Sequence, residues 1–263
     1  GARSHPRPPL REIDGVADRF APAGHAPADL DNEEALAGLR SLVENGRPEL
    51  DADAVKLLDS ARRSHDARAE FRAVAELLEI EARVSEDDDP DRSATLLKEL
   101  GRIHREELLD DERAKDAYER ALVLRPGDEE VQEAIEQIDQ AAEKWSDIAA
   151  RFIDEAENAS DPTLKCSLLV SAASLIWKYQ RQERDERVDA LFGQALEEAG
   201  GDPRAARLYE QVLRRREKWS ELARVLLEAA ERAPDDEDKV HLFLRAARVL
   251  RHQLGDHGWA TAC

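Results

Sequence analysis

Apolar residues recur along this chain at i, i+3, i+4 and i+7, the spacing that lays them on one face of an α-helix. Phe71, Val74, Leu78 and Ala82 form one such set, Trp145, Ile148, Phe152 and Ala156 a second, and Trp219, Leu222, Leu226 and Ala230 a third. Between the sets, short stretches carry Pro, Gly and acidic residues: RPGDEE at 125–130, SDPT at 160–163, GGDP at 200–203 and APDDED at 233–238. Pro and Gly end a helix, and acidic residues at the next start offset the positive helix terminus. The pattern predicts helices over 51–64, 70–84, 93–107, 111–124, 128–141, 144–158, 162–180, 185–199, 203–216, 218–232 and 236–253, with another beginning near 257.

The pattern also repeats. EKWSDIAARFIDEAENA at 143–159 returns as EKWSELARVLLEAAERA at 217–233, which sets Trp219 opposite Trp145 at an offset of 74 residues. Leu168, Leu169, Ala172, Ala173, Leu175 and Ile176 match Leu242, Phe243, Ala246, Ala247, Val249 and Leu250 at the same offset. Upstream, Leu96, Leu97, Leu100, Gly101 and Ile103 continue a third copy after a two-residue slip. One helix pair cannot bury its apolar face alone, so such a chain is expected to stack its pairs and to draw its stability from the interfaces. Trp145 and Trp219, each near the expected start of a second helix, are read as packing between repeats.

The stretch ATLLKELGRIHREELLDDERAKDAYERALVLRP, 94–126, resembles the tetratricopeptide repeat, a helix pair of about 34 residues. Leu97, Leu100, Gly101 and His104 stand at the signature places of the first helix, and Ala114, Tyr118, Ala121 and Pro126 at those of the second. The resemblance extends over roughly residues 51–263. In the other units Ala or Leu replaces signature aromatics, and the small residue that lets two helices approach becomes Ala173, Ala247, or the bulky Ile135 and Tyr209. The fold implied is all-α: a right-handed solenoid of antiparallel helix pairs spanning 31–263.

The ends extend this expectation. GARSHPRPPLREIDGVADRFAPAGHAPADL, 1–30, reads as a disordered Pro- and Ala-rich lead-in or linker, and DNEEALAGLRSLVEN, 31–45, as a helix. The final segment, 241–263, overlays the 95–117 region at an offset of 146, so that Cys263 falls where Ala117 sits, within a helix. The array is therefore expected to be truncated in mid-repeat, with the natural chain continuing past residue 263.

Composition narrows the function classes. Asp plus Glu outnumber Lys plus Arg by 59 to 39, a net charge of −20, which disfavours phosphate-binding surfaces and so nucleic acid and anionic membranes as partners. No apolar run approaches the roughly 20 residues of a membrane span. Two cysteines, Cys166 and Cys263, build no disulfide framework and suit a reducing, cytoplasmic compartment. Arg outnumbers Lys 31 to 8, the usage of a GC-rich, bacterial gene.

Catalytic and cofactor motifs are missing: the chain has no phosphate-cradling Gly-rich loop, CxxC pair, HExxH or GxSxG. His252, Asp256 and His257 straddle a helix junction, and SEDDDPD at 85–91 lacks the Gly and terminal Glu of a calcium loop; neither is expected to hold metal. No enzyme activity and no cofactor are expected. What the resemblance implies instead is a concave groove lined by the second, fifth, ninth and twelfth residues of each first helix. These are Thr95, Lys98, Arg102 and Arg105; Glu129, Gln132, Glu136 and Asp139; Ser167, Val170, Ser174 and Trp177; Pro203, Ala206, Glu210 and Leu213; His241, Leu244, Arg248 and Arg251. Lys98, Arg102, Arg105, Ser174, Trp177, His241, Arg248 and Arg251 are the candidate partner-binding residues. Trp177 replaces Arg105 and Arg251 of the other copies, so it is either a contact anchor or local packing. Arg248 and Arg251 either anchor an acidic peptide or pair with neighbouring carboxylates. The implied function is a protein–protein interaction scaffold that takes a peptide or helix of a partner. The rival is a regulatory or substrate-recruiting arm of a larger enzyme whose catalytic domain lies outside these residues.

Overall fold

The computed structural model describes residues 52–180, 186–198, 202–232 and 236–254. These form ten α-helices: α1 (Ala52–Ala67), α2 (Phe71–Ser85), α3 (Pro90–Glu106), α4 (Asp111–Leu124), α5 (Glu129–Asn158), α6 (Pro162–Tyr179), α7 (Glu186–Glu198), α8 (Pro203–Arg215), α9 (Trp219–Arg232) and α10 (Asp236–His252). No strand occurs among the described residues, so the protein is all-α there. The readings of 1–30, of a helix at 31–45 and of one starting near 257 lie outside them.

The acidic and proline punctuation works as N-caps. Asp161 accepts from the Thr163 amide at 3.1 Å with Pro162 following, and Asp202 accepts from the Ala205 amide at 2.8 Å ahead of Pro203. Asp89, before Pro90, accepts from the Arg92 amide at 3.0 Å, and Asp128 from that of Val131 at 3.3 Å. In each, a side-chain oxygen satisfies an amide that the first turn leaves orphaned, and proline supplies a preset φ where no amide is needed.

One boundary differs from expectation. Residues 128–141 and 144–158 are not two helices but one, the 30-residue α5. No Gly or Pro lies within it, and its middle reads Gln140–Ala141–Ala142–Glu143–Lys144, mostly good helix formers. Trp145 therefore sits in mid-helix, whereas Trp219 does open a helix, α9.

Among the described residues two compact units are present: residues 52–104 with 112–134, and residues 105–111 with the described residues of 135–254. In the first, Leu77, Leu78, Leu97, Leu100, Ile103 and Ala114 are buried. Gly101 of α3 meets the Tyr118 ring of α4 so closely that a Cβ there would lie 2.4 Å from Tyr118 Cε1. Arg62 of α1 ties to Glu81 of α2 and Glu99 of α3, both at 3.3 Å. Glu81 is almost fully buried and also meets Arg92; burial raises its pKa while the two guanidiniums oppose.

In the second unit one apolar core joins Ala149 and Ala156 of α5, Leu169, Ala173 and Ile176 of α6, Phe192 of α7, Leu208 and Leu213 of α8, Leu222 and Leu226 of α9 and Val249 of α10. Phe192 and Tyr209 stack at its centre, rings 5.1 Å apart. Trp145 and Trp219 both lie partly buried against this core. Leu109, held at φ +53° in the turn after α3, plugs into it as well.

Candidate functional site

Of the candidate residues in the first unit, Lys98 is engaged: its Nζ lies 2.5 Å from Glu130 and 3.5 Å from Asp128. The hydrogen bond to Glu130 is the leading cause of an upward shift in its pKa. Arg102, one turn further along α3, is exposed.

The remaining candidates belong to the second unit. Arg105 donates to Gln137 at 3.1 Å, and the Ser174 hydroxyl returns to its own helix, donating to the Val170 carbonyl at 2.7 Å. Trp177 packs against the core, with the Arg216 guanidinium 5.1 Å above its ring. His241 is partly buried, while Arg248 and Arg251 are exposed on α10.

Several expected groove positions are not open. Val170, Ala206, Glu210 and Leu213 are buried. Glu210 is closed off by cations: Arg214 one turn along reaches it at 2.8 Å, and Arg245 of α10 bonds its other oxygen. A carboxylate this deep persists only when paired, and α10 supplies one of its two cations. On α10 itself, Val240 and Leu244 are 55% and 51% exposed beside the exposed Arg248 and Arg251.

Two polar clusters carry no signal in the sequence. Lys178 and Tyr179, at the end of α6, converge on Asp111: Lys178 Nζ lies 2.7 Å from Asp111 Oδ1, and the Tyr179 hydroxyl donates to Oδ2. Lys178 also donates to the Arg105 carbonyl at 2.8 Å. Burial lowers the pKa of Lys178 against the pull of Asp111, and burial followed by the Asp111 bond raises that of Tyr179. The donors of this cluster are spent on its own acceptors, which makes it a joint between α6 and the segment 105–111. The second cluster centres on Asp189 of α7, which receives Arg216 Nη1 at 2.8 and 2.9 Å and Lys218 Nζ at 2.6 Å. Tyr209 donates nearby to Glu221 at 2.8 Å, and burial followed by that bond raises its phenol pKa. Lys178 and Tyr179 stand 67 and 68 residues from Asp111, and Arg216 and Lys218 27 and 29 from Asp189, separations that leave no local pattern to read.

Cys166 is buried, and burial pushes its thiol up to about 11, an inert state at neutral pH. Among the described residues no group of three or more His, Cys, Asp or Glu is placed to hold a metal ion. Asp256 and His257 lie outside them. No helix among them is long and apolar enough to cross a membrane. Comparison with protein-family models and with curated proteins finds no match for this chain.

Proposed function

We propose that the protein is a non-enzymatic interaction scaffold: a tetratricopeptide-type array of antiparallel helix pairs, wound right-handed, that receives a peptide or helix of another protein. The observation that carries this reading is the α10 face. Val240 and Leu244 expose apolar surface one turn apart, and Arg248 and Arg251 extend the same strip with charge. Exposed apolar groups rimmed by polar ones mark places where another molecule docks, and a helix-in-groove partner reads anchors at this spacing. The close seat of Gly101 on Tyr118 supports the repeat-type pairing in the 94–126 unit. The solvent-exposed candidates of the site are Arg102, Arg248 and Arg251, with Leu244 added; Lys98, Arg105, Ser174 and Trp177 contact other groups of the protein.

The test is affinity capture from lysate of the source cells with the wild-type chain and a Leu244→Glu, Arg251→Glu variant. Both side chains are exposed, so the variant keeps its fold, checked by circular dichroism. A protein retained by the wild type and lost by the variant supports the scaffold and its face; equal retention by both rejects that face.

A further inference from the structure

Val240, Leu244 and Arg251 of α10 have counterparts in two earlier helices. At offsets of 146 and 74, Ala94 and Cys166 answer Val240, Lys98 and Val170 answer Leu244, and Arg105 and Trp177 answer Arg251. In the earlier copies every one of these positions is covered: Ala94, Cys166 and Val170 are buried, and Lys98, Arg105 and Trp177 are half-buried. On α10 all three are exposed.

A following helix supplies the cover. In the second unit α8 lies against α6. Burial and then the charge of Asp202, the N-cap of α8, raise the pKa of Cys166, which places that cap near the start of α6. Arg216, just past the end of α8, sits 5.1 Å over Trp177 near the end of α6. Start meets start and end meets end, so the two helices run parallel. In the first unit the capped, acidic beginning of α5 meets Lys98, through Asp128 at 3.5 Å and Glu130 at 2.5 Å. In the second, Arg105 donates to Gln137 at 3.1 Å, and Gln137 follows Asp128 by nine residues.

We propose that the α10 face seats a parallel helix of a partner protein, opened by an Asp N-cap, with apolar side chains on Val240 and Leu244 and a carboxylate nine residues after the cap on Arg251. This rests on the interaction-scaffold reading and gives its partner a chemistry. Leu244 stands where Lys98 does, so the occupant's first turn exchanges the acid of Glu130 for an apolar group; a carboxylate pressed on leucine would lose its water without gaining a cation. Arg251 keeps the guanidinium of Arg105, and a carboxylate answers it more strongly than the Gln137 amide answers Arg105. The mode is recognition of an amphipathic helix by its spaced anchors.

The probe is a fluorescein-labelled peptide of residues 127–144 carrying Glu130→Leu and Gln137→Glu, titrated with the full chain and read by anisotropy. It is expected to bind the wild type and to lose binding to Leu244→Glu, an exposed substitution whose fold is checked by circular dichroism. Arg251→Glu should weaken binding roughly tenfold. A second peptide with Gln137→Lys in place of Gln137→Glu should reverse the preference and bind Arg251→Glu more tightly than the wild type. Binding lost in Leu244→Glu without that reversal overturns the parallel register while the scaffold and its face stand. Equal binding to the wild type and Leu244→Glu, or none to either, overturns the proposal, and the lysate capture then decides the scaffold reading by itself. Light scattering that finds a wild-type dimer dissociated by Leu244→Glu also overturns it, by giving the face to a second copy.

Discussion

Glu143 and Glu217 hold the same place in two copies of EKWS, yet Glu217 turns at φ +54° and Glu143 lies inside a helix. One substitution therefore has opposite effects at the two sites. Glycine adopts positive φ without strain, so Glu217→Gly should stabilise the chain by about 0.5–1 kcal/mol, whereas Glu143→Gly should cost up to about 1 kcal/mol and some helicity. Urea unfolding of the two variants checks the signs.

Gly101 lies where a Cβ would collide with Tyr118. Gly101→Ala is expected to cost about 1–3 kcal/mol by forcing the ring or helix α3 aside. In a Tyr118→Leu background the same substitution should cost markedly less, because residues in contact do not act additively. Equal costs in both backgrounds would show that the two residues do not meet.

Trp177, weighed from the sequence as an anchor for a partner or as packing, sits under Arg216 and against the core. Trp177→Ala should therefore lower the thermal midpoint by several degrees, with a loss of about 2 kcal/mol from lost burial and the cation–π contact. Partner capture by the folded remainder should persist.

Burial opposes the charge of Glu79, but Arg120, 2.9 Å away, and Arg83 outweigh it and hold its pKa below the ordinary 4.5. A carboxylate with a lowered folded pKa stabilises above its unfolded pKa and loses that contribution as pH falls. The wild type should exceed Glu79→Gln in stability by about 0.5–1 kcal/mol at pH 7, a modest figure because the pair is partly solvated. The gap should narrow as pH drops below 4.5.

Much of the helix order was legible because its signals are local. Asp161–Pro162 and Asp202–Pro203 cap the helices they were read to start, and Gly101 marked a close approach. What escaped depends on distant partners. The break assigned between 141 and 144 rested on a sequence that bends at 217, where Arg216 and Lys218 hold Asp189, 28 positions before Glu217. The candidate groove was read as uniform along the repeats, but Ala206, Glu210 and Leu213 are buried, and Arg245, which engages Glu210, lies 35 residues away. Lys178 interrupts an apolar face without revealing that Asp111 is its partner.

The interaction scaffold is the central claim, and a displayed library of helical peptides selected against the immobilised chain tests it most directly. The account predicts enrichment of peptides with apolar residues one helical turn apart and a flanking carboxylate, which bind the wild type and are lost on the folded Leu244→Glu, Arg251→Glu variant. Selected peptides that bind both proteins equally, or a selection that enriches nothing, would contradict it.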